Sequence, residues 1–334
     1  MADNKNNSLL EQAADFSRPL LLSPAQDMKG YILSHLGRAF LFLITCTSVL
    51  SVLLIFVFII KESLPFIFQG TWSASINRMW EFFTSVRWYP EAGQPEFGAL
   101  TLFAGSIYVT FGALLFAVPT SLIAAMFLSD IAPFQVKQIC KPIIEVLAAI
   151  PSVAYGFFAV LVVAPWMQTH LGLSTGTNAL NASIILAIMA IPTIVSVADD
   201  AMSSTGRAIR EASYALGATR AETLVKVVMP AAHSGIIAAI ILGMMRAIGE
   251  TMVVWMAAGN ASQIPTPWWN LGSAVRTMTA TIAGEMGETV QGSQHYHSLF
   301  MVGLILLAFT FMLNLCSEYF LAQAKKIGKG GKRK

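Results

Sequence analysis

Charge is what this chain has least of. Asp, Glu, Lys and Arg make up 12% of its 334 residues, about half the share usual in a soluble domain, which excludes an ordinary water-facing fold. The three cysteines, Cys46, Cys140 and Cys316, fall in an apolar run, a loop and another apolar run, so they offer neither a disulfide framework nor metal-ligand spacing. No G-x-x-x-x-G-K-[ST] occurs; the chain lacks the loop that cradles the phosphates of Mg-ATP, and the terminal GKGGKRK has neither the spacing nor the strand before it. His295 and His297 are two apart, off any shared helical face and without a third ligand. No paired carboxylates or nucleophile constellation converge at one depth, which argues against a membrane enzyme. Internal repeats and low-complexity tracts are also lacking.

What is present is apolar length. Hydrophobic residues reach 55% and mean hydropathy is +0.65, which predicts an all-α polytopic membrane protein. Uncharged runs cover 39–60, 97–129, 146–198, 227–245 and 289–317. Allowing about 20 residues per crossing, they predict six spans: 39–60, 99–121 followed by an apolar elbow, 147–166, 182–198, 232–257 and 298–317. Placing both ends in the cytoplasm leaves only Lys61, Arg78, Arg87 and Arg276 outside and Arg246 within a span, with the rest of the 21 Lys and Arg inside. That bias predicts N-in, C-in. The domains expected are a cytoplasmic tail and elbow over 1–38, one transmembrane domain over 39–320, and a basic tail over 321–334 that meets anionic lipid. Two external segments follow. One, at 61–96, carries Trp72, Trp80, Trp88 and Tyr89 as candidate interfacial anchors; in the other, 259–297, the stretch from Leu271 to Met286 has helical spacing and could dip toward a pathway mouth.

The organising stretch is 199–250. Its first part, 199–230, is the expected cytoplasmic coupling segment; between Arg207 and Lys226 apolar residues recur at helical spacing among charged ones, which suits short helices outside the hydrocarbon with a turn near Gly217. A partnerless interfacial loop is the plain alternative. Its second part holds Arg246 and Glu250, four apart and thus on one face of a continuous helix. Ionisable side chains in a span cost several kcal/mol and face protein or water. Two readings stand: a mutually neutralising ion pair that stabilises packing, or an anion-handling site in which the guanidinium fork meets phosphate oxygens and Glu250 orients it.

Glu211-Ala212-Ser213, then Gly217, then Val227-Val228-Met229-Pro230 resembles the EAA loop of ABC importer permeases, with Ser213, Val227 and Met229 as small or apolar departures. Together with PEFGALTLFAGS at 95–106, VPTSLIAAMFLSDIAP at 118–133, EVLAAIPSVAYGFF at 145–158 and LGMMRAIGETMVVWMAAGN at 242–260, the chain resembles phosphate-specific ABC transporter permeases of the PstC type over roughly residues 97–320. The resemblance implies a type I ABC importer permease fold in the bacterial inner membrane. It implies a second phosphate permease subunit, an ATP-binding subunit dimer and a periplasmic phosphate-binding protein as partners. It implies no cofactor on this chain, ATP and Mg being held by partner subunits, and it places Arg246 and Glu250 in the translocation pathway. Glu211, Ala212, Ser213, Gly217, Val227, Met229 and Pro230 then form the surface that couples to the ATPase, which drives alternating access. Alternatives kept open are a molybdate or sulfate permease, the sister phosphate permease PstA, an ion-coupled phosphate carrier and a structural scaffold.

Overall fold

The computed structural model describes the backbone of residues 24–330 apart from 69 and 71, and side chains from 34 to 322 with the same exceptions. The expected N-terminal tail up to residue 23, and the last four residues of the basic tail, lie outside the described residues. The chain divides into two compact units, Met1–Phe58 and Ile59–Lys334, and helix α1, Pro24–Ile67, contributes to each. In the first unit the side chains from Ser34 onward are almost all exposed, Phe40, Leu43, Val52 and Leu54 included. A helix that is apolar all round and uncovered requires an apolar surrounding.

In the second unit the end of α1 is followed by α2, Trp72–Thr84, which buries Ser75 and Phe82 and exposes Trp72, Ile76 and Trp80. A short antiparallel hairpin follows, β1 (Trp88–Tyr89) against β2 (Glu96–Phe97). Helix α3, Leu100–Met126, then runs on through a π turn at Phe127–Ile131. The elbow expected after residue 121 is therefore helix, and Pro119 lies inside it. An apolar span tolerates an internal proline where its neighbours keep the flanking turns closed.

Helix α4, Phe134–Ala149, stops at Ile150 and Pro151, both extended. The residue before a proline avoids the helical region, so the span expected from 147 starts later: α5 (Ser152–Phe158), a π turn (Ala159–Val163) and α6 (Ala164–Leu171). Helix α7, Ala179–Ser203, is capped by Asn178, whose side chain accepts from Asn181 N at 2.9 Å. Short helices α8 (Arg207–Ala215), α9 (Arg220–Thr223) and α10 (Met229–Ala231) make up most of the segment ahead of α11, His233–Gly249. Residues 220–231 and α11 meet at 74°. The fifth span expected over 232–257 is also not one helix. It ends at Gly249, and α12, Met252–Ala257, starts anew after extended Glu250. Helices α13, Met278–Glu285, and α14, Gln294–Gly330, complete the unit.

Helix α3 packs along α7, and α11 packs along both α7 and α14. Small residues permit the approach. A Cβ on Gly112 would meet Ser183 Oγ at 2.4 Å, and one on Gly243 would meet Ile194 Cγ1 at 2.4 Å. Much of the core is correspondingly alanine, with Ala113, Ala117, Ala182, Ala190, Ala198 and Ala239 fully or nearly fully buried, as expected where helices associate by close packing. Among the described residues five helices are long and apolar enough to cross a membrane, or six if the bent pair counts as one. The chain is a largely α-helical polytopic membrane protein.

Candidate functional site

The break in the fifth span separates the two charges that spacing had placed together. Glu250 caps α11 in an extended conformation, so the i, i+4 relation no longer aligns it with Arg246, and no ion pair joins them among the described residues. Arg246 instead donates from Nη1 to Thr193 Oγ1 on α7 at 3.0 Å and from Nη2 to the Ala148 carbonyl at 3.2 Å. Ala148 lies in the last turn of α4, where carbonyls lack helical partners and the dipole favours a cation. The sequence therefore creates Arg246's acceptor by stopping α4 at Ile150-Pro151. Two of the five guanidinium donors are used; the others have no partner among the described residues.

Glu250 is held by its backbone. Its carbonyl accepts from Thr279 Oγ1 on α13 at 2.8 Å, and the residue borders a cavity of about 10 Å³ lined by hydroxyl residues such as Ser106 and Thr277 and equally by apolar ones such as Val109 and Leu186. Of the stretch from Leu271 to Met286 that spacing suggested as helical, α13 forms only the second half, and residues 271–277 are irregular. Thr277 caps the helix, Met278 N donates to Ser106 Oγ at 2.9 Å, and the Arg276 carbonyl fits against Gly105, where a Cβ would meet it at 2.1 Å. None of these hydroxyl partners was anticipated from sequence.

At its other end α13 presents Glu285, which gathers the segments around it. The carboxylate accepts from Arg276 Nη1 at 2.6 Å and Trp88 Nε1 at 3.0 Å, and lies 2.8 Å from His295 Nε2. Burial pushes this carboxyl up, but the hydrogen bonds of His295 and Trp88 and the Arg276 charge outweigh it and hold its pKa below the usual carboxylate value. Trp88, expected among the surface aromatics, is accordingly buried, whereas Trp72 and Trp80 are exposed. His297 Nδ1 is engaged by the Glu62 carbonyl at 2.7 Å.

Segment 199–230 is well ordered by its own chemistry. Gly206 (φ 85) precedes α8, and Gly217 (φ 84) ends it with Gly217 N on the Tyr214 carbonyl and Ala218 N on the Ser213 carbonyl. Positive φ at this position suits glycine. Thr219 and Glu222 then form a capping box. Ser213 is buried, its Oγ 2.8 Å from Thr223 Oγ1, so the serine in the motif's third position ties α8 to α9. Glu211, Ala212, Gly217 and Pro230 are exposed, while Val227 and Met229 are half-buried. Leu216 is 89% exposed, beside exposed Ile209 and Tyr214. Behind the segment, Lys137 Nζ meets Asp199 Oδ1 at 3.0 Å and Lys141 Nζ meets Asp200 Oδ1 at 3.2 Å, joining α4 to the end of α7.

Residues 117–324 match the family model described as binding-protein-dependent transport system inner membrane component. The chain is 39% identical over 246 residues to the probable ABC transporter permease protein YqgH of Bacillus subtilis, covering 73% of this chain and 78% of that one. It is 33% identical over 274 residues to the phosphate transport system permease protein PstC of Mesorhizobium japonicum, covering 76% and 82%. Identity to PstC of Haemophilus influenzae is 30% over 299 residues, covering 84% and 92%. Among solved structures, the fold resembles a chain of the inward-facing MetNI methionine ABC transporter, with a TM-score of 0.52 at 16% identity, covering 68% of this chain and 95% of that one. The chain belongs to the inner-membrane components of binding-protein-dependent transport systems, as an ABC-transporter permease subunit of the bacterial inner membrane that relies on separate subunits for ATP hydrolysis.

Proposed function

We propose that this permease subunit imports inorganic phosphate, with six spans, both termini cytoplasmic, a second phosphate permease beside it, an ATPase dimer beneath α8 to α10 and a periplasmic phosphate-binding protein above. The observation that carries the substrate is identity of 33% over 274 residues to a PstC phosphate permease. The exposure of Ile209, Tyr214, Leu216 and Val225 on this segment supports a docking face there, since large apolar side chains in water mark contact surfaces.

In this reading Arg246 and Glu250 lie along the pathway, and Arg246 meets the anion with the donors it does not spend on Thr193 and Ala148. Closure of the ATPase dimer moves α8 to α10, and the bend at residue 232 carries that motion into α11. The broken span at Glu250 then exposes the pathway alternately to each side. Coexpression of the complex and reconstitution into proteoliposomes test the reading: ATP-dependent uptake of phosphate should exceed that of sulfate or molybdate. Preference for either of those anions, or uptake without any ATPase subunit, would overturn it.

A further inference from the structure

Arg210 counts in the sequence only as one of the charges that keep α8 polar. In the structure its guanidinium is saturated. Nε donates to Asp130 Oδ1 at 2.5 Å and Nη2 to Asp130 Oδ2 at 3.2 Å; Nη2 also donates to the Met202 carbonyl at 2.9 Å. Nη1 donates to Thr205 Oγ1 at 3.0 Å and to the Gly206 carbonyl at 2.8 Å. All five N–H donors of an arginine therefore have an acceptor. Both side chains of the pair are largely buried, Arg210 at 13% and Asp130 at 10% exposure, and Ser129 adds a further bond to Asp130.

The acceptors come from two places. Asp130 sits in the π turn that ends α3, whereas Met202, Thr205 and Gly206 form the end of α7 and the link into α8. That link is otherwise a natural hinge, because Gly206 has φ 85 and open space where a Cβ would be. One side chain splints the hinge and fastens α8 to the ends of two spans that pack along each other.

We propose that Arg210 is a positioning residue for energy coupling: through Asp130 and the Thr205-Gly206 link it makes α8 move as one body with the ends of α3 and α7. This rests on the reading of α8 as the element the ATPase pushes. Without the splint, a push on α8 is absorbed by rotation at Gly206. The second fastening, Ser213 to Thr223, leads onward to α9 and does not replace it. Lysine cannot substitute, because a point charge with three donors on one nitrogen cannot span a carboxylate and three further acceptors on separate sides.

The test uses the whole reconstituted complex and reads anion taken up per ATP hydrolysed. Arg210→Lys and Asp130→Asn are each expected to lower that ratio at least tenfold with subunit ratio and ATP hydrolysis retained, and the double variant to fall no further than the worse single. Spin labels at exposed Ala208 on α8 and exposed Phe127 at the end of α3 should keep one separation through the ATP cycle in the parent and a broadened one in Arg210→Lys. Should Arg210→Lys fail to assemble, Asp130→Asn and the milder Thr205→Val read the same ratio. An unchanged ratio in an assembled variant, or uptake and hydrolysis falling together with the amount of complex, overturns the inference. A parent complex that hydrolyses ATP but takes up no oxyanion overturns the functional reading as well; a normal parent with a normal variant overturns this inference alone.

Discussion

Arg210 and Arg246 put the same side chain to opposite use. Arg210 is paired with a carboxylate and has every donor committed; Arg246 touches two neutral acceptors and has donors to spare. Glu285, bonded by Trp88, Arg276 and His295, is also a buried ion held by several partners, although Arg276 Nε is left without an acceptor. A saturated ion tolerates little movement because each lost bond strands a buried charge, whereas a partly satisfied cation can accept a ligand without first breaking what holds it. On the proposed reading the clusters at Arg210 and Glu285 act as joints, and the region around Arg246 is the part that exchanges partners.

The largest effect should come from emptying a joint. Glu285→Ala leaves Arg276 and the Trp88 N–H without their acceptor and should cost about 3–5 kcal/mol, read as a lowered unfolding midpoint of the purified complex. The same carboxylate has an acid signature. Its pKa is lowered in the folded chain, so its stabilisation is complete above the unfolded glutamate value near about 4.3 and drains away as pH falls through the lower folded value. A midpoint unaffected by Glu285→Gln throughout that acid limb would remove Glu285 from the class of joints.

Next comes the open arginine. Arg246→Gln keeps a neutral amide donor at this position, so assembly should persist while phosphate uptake drops by about one to two orders of magnitude, the worth of a charge-assisted hydrogen bond to the anion. Undiminished uptake in an assembled complex would turn Arg246 into another packing group and erase the contrast drawn between the two arginines.

A smaller change is expected inside segment 199–230. Ser213→Ala brings the EAA-like stretch closer to the motif it resembles yet strands Thr223 Oγ1, which is 1% exposed as a residue. The expected cost is about 1–3 kcal/mol. If the alanine variant were as stable as the parent, resemblance to the motif would outweigh the local hydrogen bond.

The parts of this molecule legible in its sequence are those governed by length and period. Apolar runs located the spanning helices, glycine marked the turn at 217, and helical spacing from Leu271 to Met286 anticipated α13 only in its second half. The pairing of Arg246 with Glu250 failed because i, i+4 spacing assumes an unbroken helix, and Gly249 followed by polar Glu250 and β-branched Thr251 was a break signal. Partners far apart in sequence carry no periodic signature: Arg210 meets Asp130 across 80 positions and Trp88 meets Glu285 across 197. A weaker clue was present. The uncharged runs 97–129 and 146–198 end on Asp130 and Asp199, and a carboxylate that closes an apolar run at a helix end needs a cation nearby; Arg210 and Lys137 supply it.

The smallest effect belongs to a pair that resembles the joints only on paper. Lys226 Nζ lies 3.3 Å from Glu222 Oε1 at i, i+4 spacing, with side chains 72% and 47% exposed. Water solvates both ions whether or not they touch, salt screens their attraction, and two long side chains lose rotamer freedom to meet. Glu222 also keeps its capping bonds to Thr219 without the lysine. Lys226→Gln should therefore leave the unfolding midpoint unchanged at both low and high salt. A salt-dependent loss comparable to that of Ser213→Ala would show that exposure, rather than saturation of donors, had been weighted wrongly in separating joints from ornament.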